Sequence, residues 1–206
     1  MEKILFLGAA ESEVSLLAHS FSENSIIDGI EYHALTCGIG NLNAALFLQE
    51  LLLKEKFNEI IFIGTAGSYK AVDDELIFSS DFIQIEILCL QGEGKKPEGM
   101  NDEILSRPGP LGEKIAKSLN LSRKTVNAPN CITLKKIDAF DFSAFENLEA
   151  YGLARVCESH KVFFSAVMPV TNLVSEMGSI QWGKNHKIMS TKLQNSVLEI
   201  LRNSRI

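Results

Sequence analysis

From position 4 through position 53 the chain carries no lysine or arginine. It has five prolines, one tryptophan and four cysteines in 206 residues. The cysteines (Cys37, Cys89, Cys131 and Cys157) are far apart, with no CxxC pair and no Cys/His cluster. That spacing predicts no metal site, and reduced thiols in a cytoplasmic setting. No apolar run reaches the length of a membrane span. The opening MEKILFLGAAESE has an acid at position 2 and only a short apolar run, so no secretory signal is expected there. The net charge of −6 argues against nucleic acid as the main partner, because phosphate binding needs a basic face. No repeat, low-complexity segment or internal boundary appears, so residues 1–206 are expected to form one domain.

What is present is a strong α/β pattern centred on TCGIGNLNAALFLQELLLKEKFNEIIFIGTAG, Thr36 to Gly67. A glycine turn (Gly38, Gly40) leads into a helix, with Asn41 or Asn43 as its cap. Leu42, Ala45, Leu46, Leu48 and Leu53 supply an apolar stripe at helical spacing. Ile60 to Ile63 is an all-apolar strand, as expected for a parallel sheet buried on both faces. Further strands are predicted at Lys3–Leu7, Ile30–Thr36, Asp73–Phe78 (an exposed edge), Asp81–Leu90, Lys124–Leu134 and Val162–Val170. Helices are predicted after Gly8, at Leu111–Leu119 and from about Glu146 to His160; residues 173–181 read as another loop, and Trp182 opens or precedes a C-terminal helix to about Leu201. Residues 91–110 read as a long loop, either a mobile surface segment or a lid. Phe140, Phe142 and Phe145 read as core. His19, His33, His160 and His186 are isolated and read as structural or exposed. The fold class is three-layer α/β/α with a mixed, largely parallel central sheet.

In open α/β sheets ligands bind beyond the carboxyl ends of the strands. Just past successive strands come Glu11 and Glu13, Gly38 and Gly40, Thr65 to Gly67, and Thr171-Asn172. Glu149 lies at a helix start. Glu11 and Glu13 can simply complement a helix dipole, and Asn172 can cap a loop. Together, separated carboxylates, an amide and close-approach glycines suit a sugar or nucleoside. One carboxylate activates water and the other holds sugar hydroxyls beside a developing oxocarbenium ion.

Five blocks then resemble the nucleoside phosphorylase and hydrolase superfamily. They are GAAESEV (Gly8–Val14), TCGIGNLNAA, IFIGTAG, ENLEAYGLARVCE and VTNLVSEMGSIQW, in that family's order. The resemblance spans about residues 3 to 186 and is best to futalosine hydrolase, an enzyme of menaquinone biosynthesis. It implies that Glu13 activates the attacking water and that Glu149 binds the ribose hydroxyls. It places Gly8, Thr65, Ala66 and Gly67 around the substrate, and Leu148 beneath the sugar in place of the usual methionine. It gives Asn172 the base-recognition position, which is aspartate in adenine-specific members. An asparagine amide has two donor hydrogens, which fits O6 and N7 of a 6-oxopurine. The expected activity is hydrolysis of the N-glycosidic bond of a 6-oxopurine nucleoside, with no cofactor or metal. A homo-oligomer, preferably a dimer, is also implied. Met177 and Ser175 depart from the futalosine hydrolase pattern, so another purine nucleoside is an open alternative. Two further readings stand beside it: a phosphate-using purine nucleoside phosphorylase, and a non-catalytic nucleoside-binding protein. The scarcity of cations favours water over phosphate, unless Arg107, Arg123, Arg155 or a neighbouring subunit supplies the charge.

Overall fold

Alternation along the central strands sets the layers. The structure is a computed structural model that describes residues 1–73, 75–86, 89, 91–100, 102–135 and 145–203. Among these the strands are β1 (Glu2–Gly8), β2 (Ile26–Ile27), β3 (Ile30–Thr36), β4 (Glu59–Phe62) and β5 (Ala66–Ser68), followed by β6 (Leu76–Ile83), β7 (Glu103–Leu105), β8 (Arg123–Asn127), β9 (Phe145–Glu146) and β10 (Phe163–Leu173). The helices are α1 (Glu11–Glu23), α2 (Asn41–Lys54), α3 (Pro110–Ser118), α4 (Ala150–His160) and α5 (Gly178–Arg202).

Leu5, Leu7, Ile60 and Phe62 pack to one side of the sheet with Ala44 and Leu48 of α2 and Leu153 and Cys157 of α4. Ile4, Phe6, Ile61 and Ile63 pack to the other with Val14 and Leu17 of α1, Ile115 of α3 and Leu193 and Val197 of α5. This period of two places a helical layer on each face of the sheet. Each fully buried aliphatic or aromatic side chain contributes about 1.5–3 kcal/mol.

The strand order is β2-β3-β1-β4-β10-β5-β9-β8-β6-β7, and β6 also pairs with β10. That extra pairing closes β10, β5, β9, β8 and β6 into a ring. Strands β3, β1, β4, β10 and β5 run parallel. Their carboxyl ends therefore share one edge, the edge that the sequence marks with glycines and polar residues.

Several expectations change. The acidic stretch at 73–75 precedes a single strand, β6, which pairs with β10, β7 and β8 and is largely buried. It is an interior strand, and β7, inside the expected 91–110 loop, takes the edge beside it. Asn41 does not cap α2. Its side chain donates to the Ala128 carbonyl (2.8 Å) and accepts from the Gly152 N–H (2.9 Å), tying α2 to α4. The N-cap is Gly40, at φ +89°. Helix α2 buries Asn41, Ala44 and Leu48, whereas Leu42, Leu46 and Leu53 stay 70, 54 and 71% exposed. Strand β10 continues through Thr171 and Asn172, and α5 begins at Gly178, before Trp182. Phe145 is core; Phe140 and Phe142 lie outside the described residues. His186 is buried, His19 pairs loosely with Glu23, His33 meets Glu31, and His160 meets Gln49.

One carboxylate anchors a helix. Glu59, 1% exposed at the start of β4, accepts the N–H groups of Leu111 (3.0 Å) and Gly112 (2.6 Å) at the start of α3. Burial pushes its carboxyl pKa up, and those two donors oppose the shift. Charge-assisted bonds to buried donors are costly to remove. Replacing Glu59 with Ala should lower unfolding stability in urea by about 2–4 kcal/mol. A loss near zero would show that α3 holds its place without this anchor.

Candidate active site

Glu13 occupies the third position of α1, close enough to fold back on the helix start. Its Oε2 accepts the N–H groups of Ala9 (2.7 Å) and Ala10 (3.1 Å). These are orphan donors of the strand-to-helix turn, so the carboxylate completes the helix start. Thr65 adds bonds from its backbone and its hydroxyl. Glu13 is 2% exposed, and burial raises its pKa against those hydrogen bonds. Glu11, two residues earlier, is exposed. The two acids of the opening motif thus separate into a solvated one and a buried one.

Glu149 is 4% exposed and precedes α4. Its Oε1 accepts the Gly40 N–H (2.9 Å) and its Oε2 accepts the Asn147 amide (2.8 Å). The positive φ at Gly40, a conformation that glycine adopts freely, lets the turn before α2 aim that N–H at the carboxylate. Burial pushes the Glu149 pKa up to about 7; the negative charge of Glu13 adds to the rise, and the Gly40 and Asn147 donors oppose it.

Asn147 was not singled out in the sequence, yet it organises this corner. Its Oδ1 accepts the N–H groups of Ala150 and of Glu149, the N-cap of α4, both at 2.8 Å. These bonds, with Glu146 drawn into β9, set the start of α4 at Ala150 and not at Glu146. The Asn147 amide also donates to the Thr65 carbonyl (3.0 Å). Thr65 in turn accepts the indole N–H of Trp182 at its hydroxyl (3.0 Å). Trp182 stacks on buried His186 at 4.0 Å between ring centroids. Thr65 therefore links Glu13, Trp182 and, through Asn147, Glu149. Trp182 is a second residue that sequence reasoning left out of the site. Its ten-residue step from Asn172 was the available signal.

These side chains surround a cavity of about 390 Å³, within the range of small-molecule sites. Glu13, Thr65, Ala66, Gly67, Leu148, Glu149 and Asn172 all line it, as do Glu146, Asn147 and Trp182. Gly8 does not. It packs behind the wall, where a β-carbon would come within 2.8 Å of the Glu13 Cβ. Gly67 leaves room for Asn172, whose Nδ2 would lie 2.9 Å from any β-carbon there. Asn172 has fewer free donors than the sequence suggested: Nδ2 donates to the Leu173 carbonyl (3.1 Å), and Oδ1 accepts from the Thr171 hydroxyl (2.8 Å). One amide hydrogen remains. Residues 174, 175, 178 and 179 also line the cavity, and no described residue of 91–110 does.

No lysine or arginine lines the cavity among the described residues. Arg107 stacks on Phe163, Arg123 pairs with Glu113, and Arg155 pairs with Glu158. Among the described residues no cluster of His, Cys, Asp or Glu could hold a metal ion, and no helix is long and apolar enough to cross a membrane.

No protein-family model matches the sequence, and no curated protein matches it. Solved structures do match. A 5′-methylthioadenosine/S-adenosylhomocysteine nucleosidase from Neisseria meningitidis, in complex with methylthio-immucillin-A, aligns with TM-score 0.79 at 15% identity, over 99% of this chain and 100% of the other. A mutant of the futalosine hydrolase of Helicobacter pylori aligns with TM-score 0.79 at 15% identity and the same two coverages. A putative nucleosidase of the first type from Francisella philomiragia aligns with TM-score 0.78 at 17% identity over all of both chains. The chain has the nucleoside phosphorylase and hydrolase fold. In this example of the fold, the site edge brings three buried carboxylates, Glu13, Glu146 and Glu149, to one cavity.

Their charge leaves a mark on stability. Glu149 titrates near 7 folded, against 4.5 for an ordinary glutamate. Between those values the folded state binds the extra proton, so stability falls as pH rises. Glu149→Gln removes that loss. Relative to the wild type, the variant should gain roughly 2–3 kcal/mol of unfolding stability between pH 5 and pH 8. The change with pH isolates the charge, because the altered hydrogen bonds of the amide act at both pH values. A pH-independent difference in urea titrations would show that Glu149 is not perturbed.

Proposed function

We propose that the protein hydrolyses the N-glycosidic bond of a purine nucleoside, with a 6-oxopurine as the base. The observation that carries this is the pair Glu13 and Glu149, buried in one cavity and tied together through Thr65 and Asn147. Glu13 takes a proton from water as the water oxygen bonds to C1′. The C1′–N9 bond breaks, and its electrons leave with the purine. Glu149 accepts hydrogen bonds from the ribose hydroxyls, and its negative charge opposes the positive charge that develops on the ring. Asn172 presents its remaining amide hydrogen to the leaving purine, which suits an acceptor such as O6 or N7. Leu148 offers an apolar contact beneath the sugar.

The structural neighbours include nucleosidases and a futalosine hydrolase, in keeping with this chemistry. The cavity lining favours water as the nucleophile. Its carboxylates repel a phosphate dianion, and none of its described residues offers a counter-cation. The same lining disfavours an anionic substituent on the substrate, which sets a benzoate-bearing nucleoside such as futalosine below a neutral one.

Base release from inosine and adenosine, with and without phosphate, tests the reading. Hypoxanthine should form without phosphate, with kcat/KM for inosine at least about tenfold above that for adenosine. Ribose 1-phosphate formed only when phosphate is present would make the protein a phosphorylase. Glu13→Gln should lower kcat by about a thousandfold while nucleoside binding persists; retained turnover would remove Glu13 from its role.

We also propose a homodimer through α2. Ile39, Leu42 and Leu46 form an exposed apolar ridge, and Ile39 borders the cavity. Exposed apolar patches of this kind mark interfaces. Leu46→Glu should convert a dimer to a monomer in light scattering. A wild type that is already monomeric would overturn this assembly.

A further inference from the structure

The chain has one tryptophan, and its indole N–H joins the bonds around Glu13. Trp182 donates to the Thr65 hydroxyl at 3.0 Å and lines the cavity. The opening turns of α5 are bolted to the end of β10 beside it. Gln181 Oε1 accepts the Leu173 N–H (2.9 Å), and the Asn185 amide donates to the Thr171 carbonyl (2.8 Å). His186, 8% exposed, backs the indole with its ring 10° from parallel and the centroids 4.0 Å apart. Its Nδ1 lies 2.9 Å from the Trp182 carbonyl. A carbonyl oxygen only accepts, so that nitrogen carries a hydrogen. The pairs 181/185 and 182/186 are each one turn apart, so one face of α5 both anchors the helix and aims the indole.

The direction of these bonds is set by chemistry. An indole N–H donates and cannot accept, whereas a threonine hydroxyl has one hydrogen and two lone pairs. Trp182 occupies one lone pair of Thr65. The hydroxyl hydrogen is left for an acceptor, and the Glu13 carboxylate receives it. The bonds therefore run one way, from indole to hydroxyl to carboxylate. Bonds in such a chain polarise one another. A cavity wall alone needs only an apolar ring at this place, not an N–H.

We infer that Trp182 is a positioning residue: its indole N–H holds the Thr65 hydroxyl as a donor to Glu13, and His186 holds the indole. This deepens the proposed function and rests on its choice of Glu13 as the group that activates water. A hydrogen bond to an ionised carboxylate favours the ionised form, and this one opposes the rise that burial imposes on Glu13. The network thus helps to keep the base ready to take a proton. The other titratable groups around this corner are Glu149 and Glu146 in the same cavity, Cys37 just after β3, Glu11 on α1 itself and His186 behind the indole.

A single tryptophan gives a single indole N–H signal in nuclear magnetic resonance. Protonation of Glu13 weakens its bond from Thr65, and with it the indole bond, so the signal should move with pH in a step that follows Glu13. Glu13→Gln should erase that step, while Glu149→Gln and Thr65→Ser should keep it. A step from His186 would survive in Glu13→Gln and so be told apart. Thr65→Val, matched in shape, should shift the signal toward that of an unbonded indole at every pH. No step at all, a step that only Glu149→Gln erases, or a signal indifferent to Thr65→Val overturns the inference. Should Glu13→Gln fail to fold, the two Thr65 variants decide. In turnover, Trp182→Phe keeps a ring and loses the N–H. Its kcat for the nucleoside cleaved best should fall by about tenfold, with KM changed by less than about twofold. A rise in KM with kcat unchanged would make Trp182 a wall of the cavity and overturn the inference. The signal requires no substrate, so the two readings fail separately. A Glu13 step in a protein that cleaves no nucleoside sustains the bonding network and sinks the hydrolase. Cleavage without that step does the reverse.

Discussion

The structure turns on burying carboxylates in a cavity whose described lining has no cation. An isolated buried carboxylate is costly unless hydrogen-bond donors replace its hydration. Here the donors come from the backbone and from amides. Glu13 takes the N–H groups of the turn after β1, and Glu149 takes that of the turn before α2. Such donors exist only where strands end and helices begin with unpaired N–H groups. That requirement explains why the site lies at the carboxyl edge of the parallel strands. It also explains the glycine at position 40, which must turn its N–H toward a side chain 109 residues further along the chain.

The donors do not fully offset burial, and both carboxyl groups remain raised. The site therefore holds charge at the expense of stability, as functional sites often do. In the proposed reaction a substrate would relieve this. Ribose hydroxyls would give Glu149 the donors it lacks, and a positive oxocarbenium ion would favour the ionised form further. The group that burdens the protein alone would then become most favourable at the top of the reaction barrier, the condition for catalysis by differential binding.

Much of this was legible in the chain. The all-apolar run 60–63 announced a parallel sheet, and the polar residues placed after each strand announced the edge where the cavity lies. The residues that failed to announce themselves act through partners far away in sequence. Asn41 looked like a cap because it opens a helix, yet it bonds to Ala128 and Gly152. The leucine stripe of α2 marked a helix but not its buried side, because periodicity shows that a face is apolar, not what covers it. Asp73 and Glu75 suggested an edge, but they precede an interior strand. Asn147 and Trp182 acquire meaning only once Thr65 is placed between them.

Glu146 shows the same limit most clearly. In sequence it is one acid of a short motif whose other acid, Glu149, carries the resemblance. The backbone sends the two apart: Glu146 pairs with Gly67 inside the sheet, while Glu149 follows the Asn147 turn toward the start of α2. Two carboxylates three residues apart thus line one cavity from different elements. Neither position follows from composition. Both follow from Asn147, which bonds to the N–H groups of Glu149 and Ala150 where the strand ends and the helix starts. Holding those charges apart lets one short stretch of chain bury two carboxylates in one cavity.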